Sequence, residues 1–253
     1  MLADLIRKIL PAEIRPIQYF INRTYEGTGG CVRAGVFKGL KYPRDSFGSC
    51  LIPKLLGIYE RELYPAIEQA CASKPELIVD IGAAEGFYAV GLARRNPQAR
   101  VVAYEMEEKG RQILKETIQL NGREAAVEIR GKCELADLRQ LMSGNQRTLV
   151  ICDCEGYEQV LLDLAQVPGL ARARILVETH DFVTAGLTED LMARFARTHN
   201  VERIWQTDRS PSEYPFRSLY LSMLPAGYWR WAVSEWRPVR MCWLWMTPRA
   251  EAA

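Results

Sequence analysis

The chain has 253 residues, with 33 Lys and Arg against 31 Asp and Glu for a net charge of +2, and is 48% hydrophobic. That length carries one large core, and the near-neutral balance excludes a strong overall field that would drive the chain onto nucleic acid or an anionic membrane. No stretch approaches the ~20 apolar residues of a membrane span, and the seven cysteines (Cys31, Cys50, Cys71, Cys133, Cys152, Cys154, Cys242) form no C-x-x-C pair, which fits a reducing cytoplasm better than a disulfide framework.

The opening MLADLIRKIL sets Leu2, Leu5, Ile6, Ile9 and Leu10 at helical spacing, carries Asp4 and lacks the small-residue cleavage site of a secretory signal. It predicts a helix packed on its own domain or on a second copy, which would make a homodimer, with a membrane-surface helix as the alternative. Residues 1–70 contain GTGG at 27–30, Pro43 and Pro53, and end in GIYERELYPAIE, a helix leading into the main domain. They read as an N-terminal helical extension, and 71–253 as the main domain.

From residue 77 onward, strand-like and helix-like segments alternate. Strands are predicted at 77–81, 100–105, 126–130, 148–152, 173–179, 201–207 and 241–247, and helices at 86–95, 107–121, 134–142, 157–167 and 188–198. Asn96-Pro97, Asn121-Gly122, Ser143-Gly144-Asn145 and Pro168-Gly169 stop the first four helices. The pattern is that of an α/β, Rossmann-like fold, a mainly parallel seven-stranded sheet with helices on both faces. Residues 208–239 interrupt it with Pro211, Pro215, Pro225, Pro238 and the aromatic group Tyr228, Trp229, Trp231 and Trp236. An insertion this long between two strands is a candidate cap over the carboxyl ends of the sheet, where open α/β folds bind ligands. Its aromatics, with Arg230, Arg237 and Arg240, could stack on an acceptor or form the core of the cap, while Trp243 and Trp245 read as buried packing.

The first strand turns into its helix through LIVDIGAAEGFYAVGLARR. A dinucleotide corner needs G-x-G-x-x-G so that a pyrophosphate can approach the helix N-terminus. Here the turn is D-x-G-x-x-x-G, with Asp80 at the strand end, Gly82, Ala83 and Gly86 in the turn, and Glu85 adding negative charge where phosphates would sit. The corner suits a ligand with a cationic end. S-adenosylmethionine, with its ammonium and sulfonium, is such a ligand. Glu105, about twenty residues on at the end of the second strand, sits where an acidic residue holds both ribose hydroxyls, although capping of the following helix would also explain it.

Two further strand ends carry ionisable groups. TLVICDCEGYEQVLLD ends an apolar run on Asp153, and RILVETHD ends on Glu178, His180 and Asp181. Residues two apart share a strand face, so Glu178 and His180 point together. His180 reads as a base oriented by Glu178 or Asp153, or as a hydrogen-bonded residue at a strand end. His199, in RFARTHN, reads as a surface histidine at a helix end. After the third strand, Lys132 and Cys133 stand where an adenine would be contacted, or simply form a turn.

GVFKGLKYP, LLGIYERELYPAIE, IVDIGAAEGFYAVGLA, VICDCEGYEQVLL and ILVETHD resemble, in order and spacing, successive blocks of the FkbM-type branch of class I S-adenosylmethionine-dependent methyltransferases over about residues 32–183. The resemblance implies that Asp80, Gly82 and Gly86 line the methionine end of the cofactor, that Glu105 holds the ribose and that Asp153 faces the transferred methyl. The chain departs from the family at Glu85, often asparagine, and around 151–154. Methyl transfer to a hydroxyl needs alignment and removal of a proton, which His180 would accept. The same donors could instead hold magnesium or manganese, but a metal is the less favoured reading and no metal ligands are assigned. The expectation is an O-methyltransferase acting on a small molecule, sugar or natural product. Alternatives are an RNA or protein methyltransferase, disfavoured by the lack of a basic run with interleaved aromatics, and a cofactor-binding partner protein without catalysis. A nicotinamide dehydrogenase lacks its third glycine.

Overall fold

The computed structural model describes residues 15–47 and 50–249; the opening helix predicted over residues 2–10 lies outside them. In chain order the elements are α1 (Pro16–Thr28), α2 (Leu51–Leu56), α3 (Tyr64–Ala72), β1 (Leu77–Ile81), α4 (Phe87–Arg95), β2 (Arg100–Tyr104), α5 (Glu108–Leu120), β3 (Val127–Arg130) and α6 (Leu135–Leu141). They continue with β4 (Thr148–Cys152), α7 (Glu158–Leu161), β5 (Arg174–Thr179), α8 (Leu187–Phe195), β6 (His199–Trp205), α9 (Leu219–Ser222), α10 (Ala226–Val233) and β7 (Cys242–Pro248). The strands form one sheet in the order β3-β2-β1-β4-β5-β7-β6. β1 to β5 run parallel, and β7 is antiparallel to both of its neighbours.

Strand periodicity divides the core. Ile78, Val101, Leu149 and Leu176 face α3, α4 and an upstream group that includes Val32, Phe37 and Leu40. Their chain neighbours Val79, Val102, Val150 and Val177 face Leu138, Leu161, Leu187, Leu191 and Phe195. Both faces are covered, so β1 and β4 are buried throughout and, Asp80 and Thr148 apart, read as apolar runs rather than alternating ones. Each aliphatic side chain so buried stabilises the fold by about 1.5–3 kcal/mol before entropic costs. A third cluster joins Phe20 of α1, Ile52 and Leu56 of α2, and Tyr214, Leu221, Ala232 and Val233 of the 208–239 segment. That segment therefore packs on the upstream helices.

Two elements depart from the sequence reading. α7 has four residues, not the eleven or so expected over 157–167, because the Asp163 carboxylate accepts the backbone N–H groups of Ala165 and Gln166 and competes with the helix. β6 begins at His199, which is fully buried rather than at the surface. Its Nε2 meets the Ala173 carbonyl at 2.9 Å and its Nδ1 the Thr198 hydroxyl at 2.8 Å, and burial holds its pKa below the usual value.

Candidate active site

The parallel strands bring their carboxyl ends to one edge of the sheet, and a cleft of about 260 Å³ opens there. Gly82 and Ala84 after β1, Glu105 after β2, Gly131, Lys132 and Cys133 after β3, and Asp153, Cys154 and Glu155 after β4 line it, with Phe47, Met106, Tyr157 and Leu161 as apolar walls. Gly82 is required by contact as well as conformation. Its φ is +85°, and a Cβ there would stand 1.7 Å from the Asp153 carbonyl oxygen, so the turns after β1 and β4 pack backbone to backbone.

Asp80 lies on β1 behind this corner and does not itself line the cleft; it is 2% exposed, with Oδ2 lacking a hydrogen-bond partner. Burial, and then the neighbouring Asp153 charge, push its carboxyl up to about 7. A buried, incompletely paired carboxyl is costly, and a cationic ligand group would relieve it. Glu105 is held rigidly, Oε2 accepting the Ala84 N–H and Oε1 the Glu107 N–H, both at 2.8 Å. An ionised carboxylate has about four acceptor sites, so Glu105 keeps capacity for ligand hydroxyls. It braces the turn after β1 and lines the cleft, and the helix that follows makes no side-chain cap bond, so capping does not account for it.

Not every candidate reaches the cleft. Glu85 is fully buried; its Oε1 pairs with Lys54 Nζ at 2.8 Å and accepts the Ser46 hydroxyl at 2.9 Å. Its charge is answered from the upstream segment and does not line the cleft, contrary to the expectation that it meets a ligand there. Ala83 and Gly86 lie in the turn behind the cleft wall: Ala83 is 5% exposed, and a Cβ on Gly86 would meet Leu114. Lys132 does line the cleft; it is half exposed, pairs with Glu134 at 2.9 Å and sits 4.7 Å from the centre of the Tyr157 ring.

His180, directly after β5, is 2% exposed. Its Nδ1 lies 2.8 Å from Oε1 of Glu158, a fully buried carboxylate that also accepts the Cys154 N–H at 3.1 Å. An ionised carboxylate only accepts, so Nδ1 carries the hydrogen and Nε2 turns its other side toward three carboxylates. These are Asp153 at 3.5 Å, Glu155 at 3.7 Å and Glu178 at 3.7 Å. Burial alone would lower the His180 pKa, but the Glu158 bond and the Asp153, Glu158 and Glu155 charges outweigh it and raise it. Asp153 is itself pushed up to about 7, chiefly by burial, with His180 opposing the rise.

The orienting partner of His180 is thus Glu158, not Glu178 or Asp153. Glu178 is committed to Arg237, whose guanidinium also pairs with Glu60 and lies 3.4 Å from Glu235. Glu60 accepts the Tyr88 hydroxyl as well, and Glu235 pairs with Arg209 at 2.7 Å. This buried chain ties the upstream segment, β5 and the 208–239 segment together beside the site. The sequence signal for Glu158 was its position opening a helix five residues after Asp153; Arg237 stood out only as a candidate for contact with an acceptor, and Glu60 only as part of the LLGIYERELYPAIE block.

The aromatics of 208–239 divide. Trp229 packs edge-on against Phe20 and Tyr214 in the third cluster. Trp231 and Trp236 stack at 5.2 Å and line a cavity of about 340 Å³ with Ile21, Arg44, Ser46 and Leu51. Trp243 and Trp245 are buried.

An O-methyltransferase from Bacillus cereus, solved in complex with SAH, superposes with a TM-score of 0.51 over 98% of this chain and 97% of that one, at 11% identity. The chain has the class I methyltransferase fold. The O-methyltransferase TomG from Streptomyces achromogenes, solved with SAM, covers 81% of this chain and 89% of its own length with a TM-score of 0.46 and 14% identity. At these identities the likeness is one of fold. No protein-family model matches the sequence, and no curated protein resembles it significantly. Among the described residues no helix is long and apolar enough to cross a membrane.

Proposed function

We propose that the protein is an S-adenosylmethionine-dependent methyltransferase acting on a hydroxyl of a small molecule, sugar or natural product, of the FkbM type that its sequence blocks resemble. The observation that carries this reading is the pairing of two carboxylates at adjacent strand ends. Asp80 is buried with an oxygen unpartnered, and Glu105 is fixed on the cleft with acceptor sites to spare. A ligand that presents a cation to the first and ribose hydroxyls to the second matches both.

The cofactor supplies a methyl group on a sulfonium, which passes to an oxygen nucleophile as the hydroxyl proton is lost. Asp80 would hold the ammonium end, Glu105 the ribose, and Lys132, Cys133 and Tyr157 the adenine end of the cleft. Asp153 and His180 form the polar end where the acceptor hydroxyl is oriented and gives up its proton. Glu158 holds the His180 ring, and Arg237 holds Glu178 behind it. The 208–239 segment, packed on α1 and α2, would close the acceptor side as a cap. A polymer acceptor is disfavoured because the buried arginines of the 208–239 segment nearest the site are paired: Arg237 with Glu60 and Glu178, and, further along the chain of ion pairs, Arg209 with Glu62 and Glu235.

Incubation with S-adenosylmethionine carrying a tritiated methyl, against fractionated small hydroxylated compounds, RNA and protein, tests the reading. Label in small compounds, with release of S-adenosylhomocysteine, supports it. Label confined to RNA or protein would overturn the acceptor class, and cofactor binding without transfer to any fraction would favour a non-catalytic partner.

A further inference from the structure

His180 Nε2 is surrounded by carboxylates at distances too long for hydrogen bonds and too short for indifference. Asp153 Oδ1 stands at 3.5 Å and Glu155 Oε2 at 3.7 Å, beyond the 2.7–3.2 Å of a normal N–H···O bond. Glu178, also at 3.7 Å, is taken by Arg237. The remaining three residues, Asp153, Glu155 and His180, each offer one donor atom, and those atoms all lie within 4.8 Å of one another.

That spacing has a geometric meaning. Nitrogen and oxygen donors bound to a small divalent ion at about 2.0–2.2 Å, meeting at 90–110°, stand about 3–3.6 Å apart. The two separations from Nε2, 3.5 and 3.7 Å, are within a few tenths of an ångström of that range, and all three donors lie within 4.8 Å of one another, so a turn of the exposed Glu155 side chain would let them close on an ion. The second observation is the state of the ring. His180 is 2% exposed, and its Nδ1 is bound at 2.8 Å to the fully buried Glu158. This is the outer contact that metal-binding histidines use to fix the tautomer and aim the other nitrogen. Nε2 thus points, without a hydrogen-bond partner of its own, into the space between two carboxylates.

We propose that Asp153, Glu155 and His180 bind one divalent cation of the manganese type at the end of the cleft. One imidazole nitrogen and two carboxylate oxygens suit such an ion, and three protein donors leave positions open for an oxygen ligand. The proposal rests on the methyltransferase reading and extends it. The ion would make the acceptor hydroxyl acidic, and His180 and Asp153, which the sequence presents as a base and one of its orienting groups, would become ligands together with Glu155. The favoured acceptors are then compounds whose hydroxyl can enter an open coordination position.

The test is titration of the full, chelator-treated protein with Mn²⁺, read by loss of the free-ion electron paramagnetic resonance signal, beside a separate S-adenosylhomocysteine titration of the same protein. One saturable ion per chain is expected, bound about tenfold or more weakly in Glu155→Gln and in His180→Ala. Glu155 is 79% exposed on its side chain, so its variant keeps the fold if His180→Ala does not. No saturable Mn²⁺ binding, or binding indifferent to Glu155→Gln, would overturn the metal site. If S-adenosylhomocysteine binds and Mn²⁺ does not, the metal fails and the methyltransferase reading stands; the reverse pattern keeps the ion and removes the methyltransferase.

Discussion

Asp80→Asn should make the ligand-free protein more stable at alkaline pH while damaging its ligand site. The Asp80 carboxyl is 2% exposed and its pKa rises from 3.8 to about 7, first by burial and then by the Asp153 charge. A rise of about three units, at 1.36 kcal/mol each, is a cost of ~4 kcal/mol to keep the group ionised in the fold. The sign follows from the direction of the shift. With the folded pKa above the unfolded one, the folded state holds the proton more tightly, so the favourable contribution is complete below about pH 4 and is lost as pH rises through about 7. Asparagine has no charge to bury and keeps a side-chain oxygen as an acceptor. Urea unfolding of both proteins, ligand-free, at pH 8 and pH 4.5 is the assay. The variant should be more stable by ~1–4 kcal/mol at pH 8, with the margin nearly closed at pH 4.5. A variant less stable than the wild type at pH 8, or a margin independent of pH, would refute the reasoning.

His180→Ala should lower methyl transfer by about a hundredfold or more and leave S-adenosylhomocysteine affinity within about threefold of wild type, since the side chain is not on the cofactor cleft; paired kinetics and calorimetry would read both. Gly82→Ala puts a methyl 1.7 Å from the Asp153 carbonyl at a φ of +85°. It should cost ~2 kcal/mol or more by thermal unfolding and loosen both turns of the site. Arg237→Ala strands Glu60 and Glu178, both buried. It should destabilise by ~3–5 kcal/mol in urea unfolding, with Arg237→Lys recovering part of the loss.

What could be read from the sequence follows from what determines each element. β1 and β4 are buried on both faces and closed by charged or small residues, so 77–81 and 148–152 were legible to the residue. α7 was not, because YEQVLLDLAQV has helical periodicity throughout and the stop is a side-chain contact from Asp163 to Ala165 and Gln166. The geometry of the corner after β1 was legible because Asp80, Gly82 and Glu105 occupy positions that the βα turn dictates. The partners of those residues were not. Lys54 answers Glu85 across 31 positions, Glu158 reaches His180 across 22, and Arg237 meets Glu60 across 177. No local pattern records such pairings, so Glu85 looked like a cleft residue and Glu178 like the partner of His180. His199 misled for a related reason: its partners, Thr198 and Ala173, satisfy it in the interior.

The central claim is that the corner between β1 and β2 binds an adenosyl sulfonium cofactor. Calorimetric titration with S-adenosylmethionine and S-adenosylhomocysteine, on the wild type and on Asp80→Ala and Glu105→Ala, tests it most directly. The account predicts saturable one-to-one binding of both ligands to the wild type and its loss in each variant. No binding of either ligand to the wild type, or undiminished binding in both variants, would contradict it.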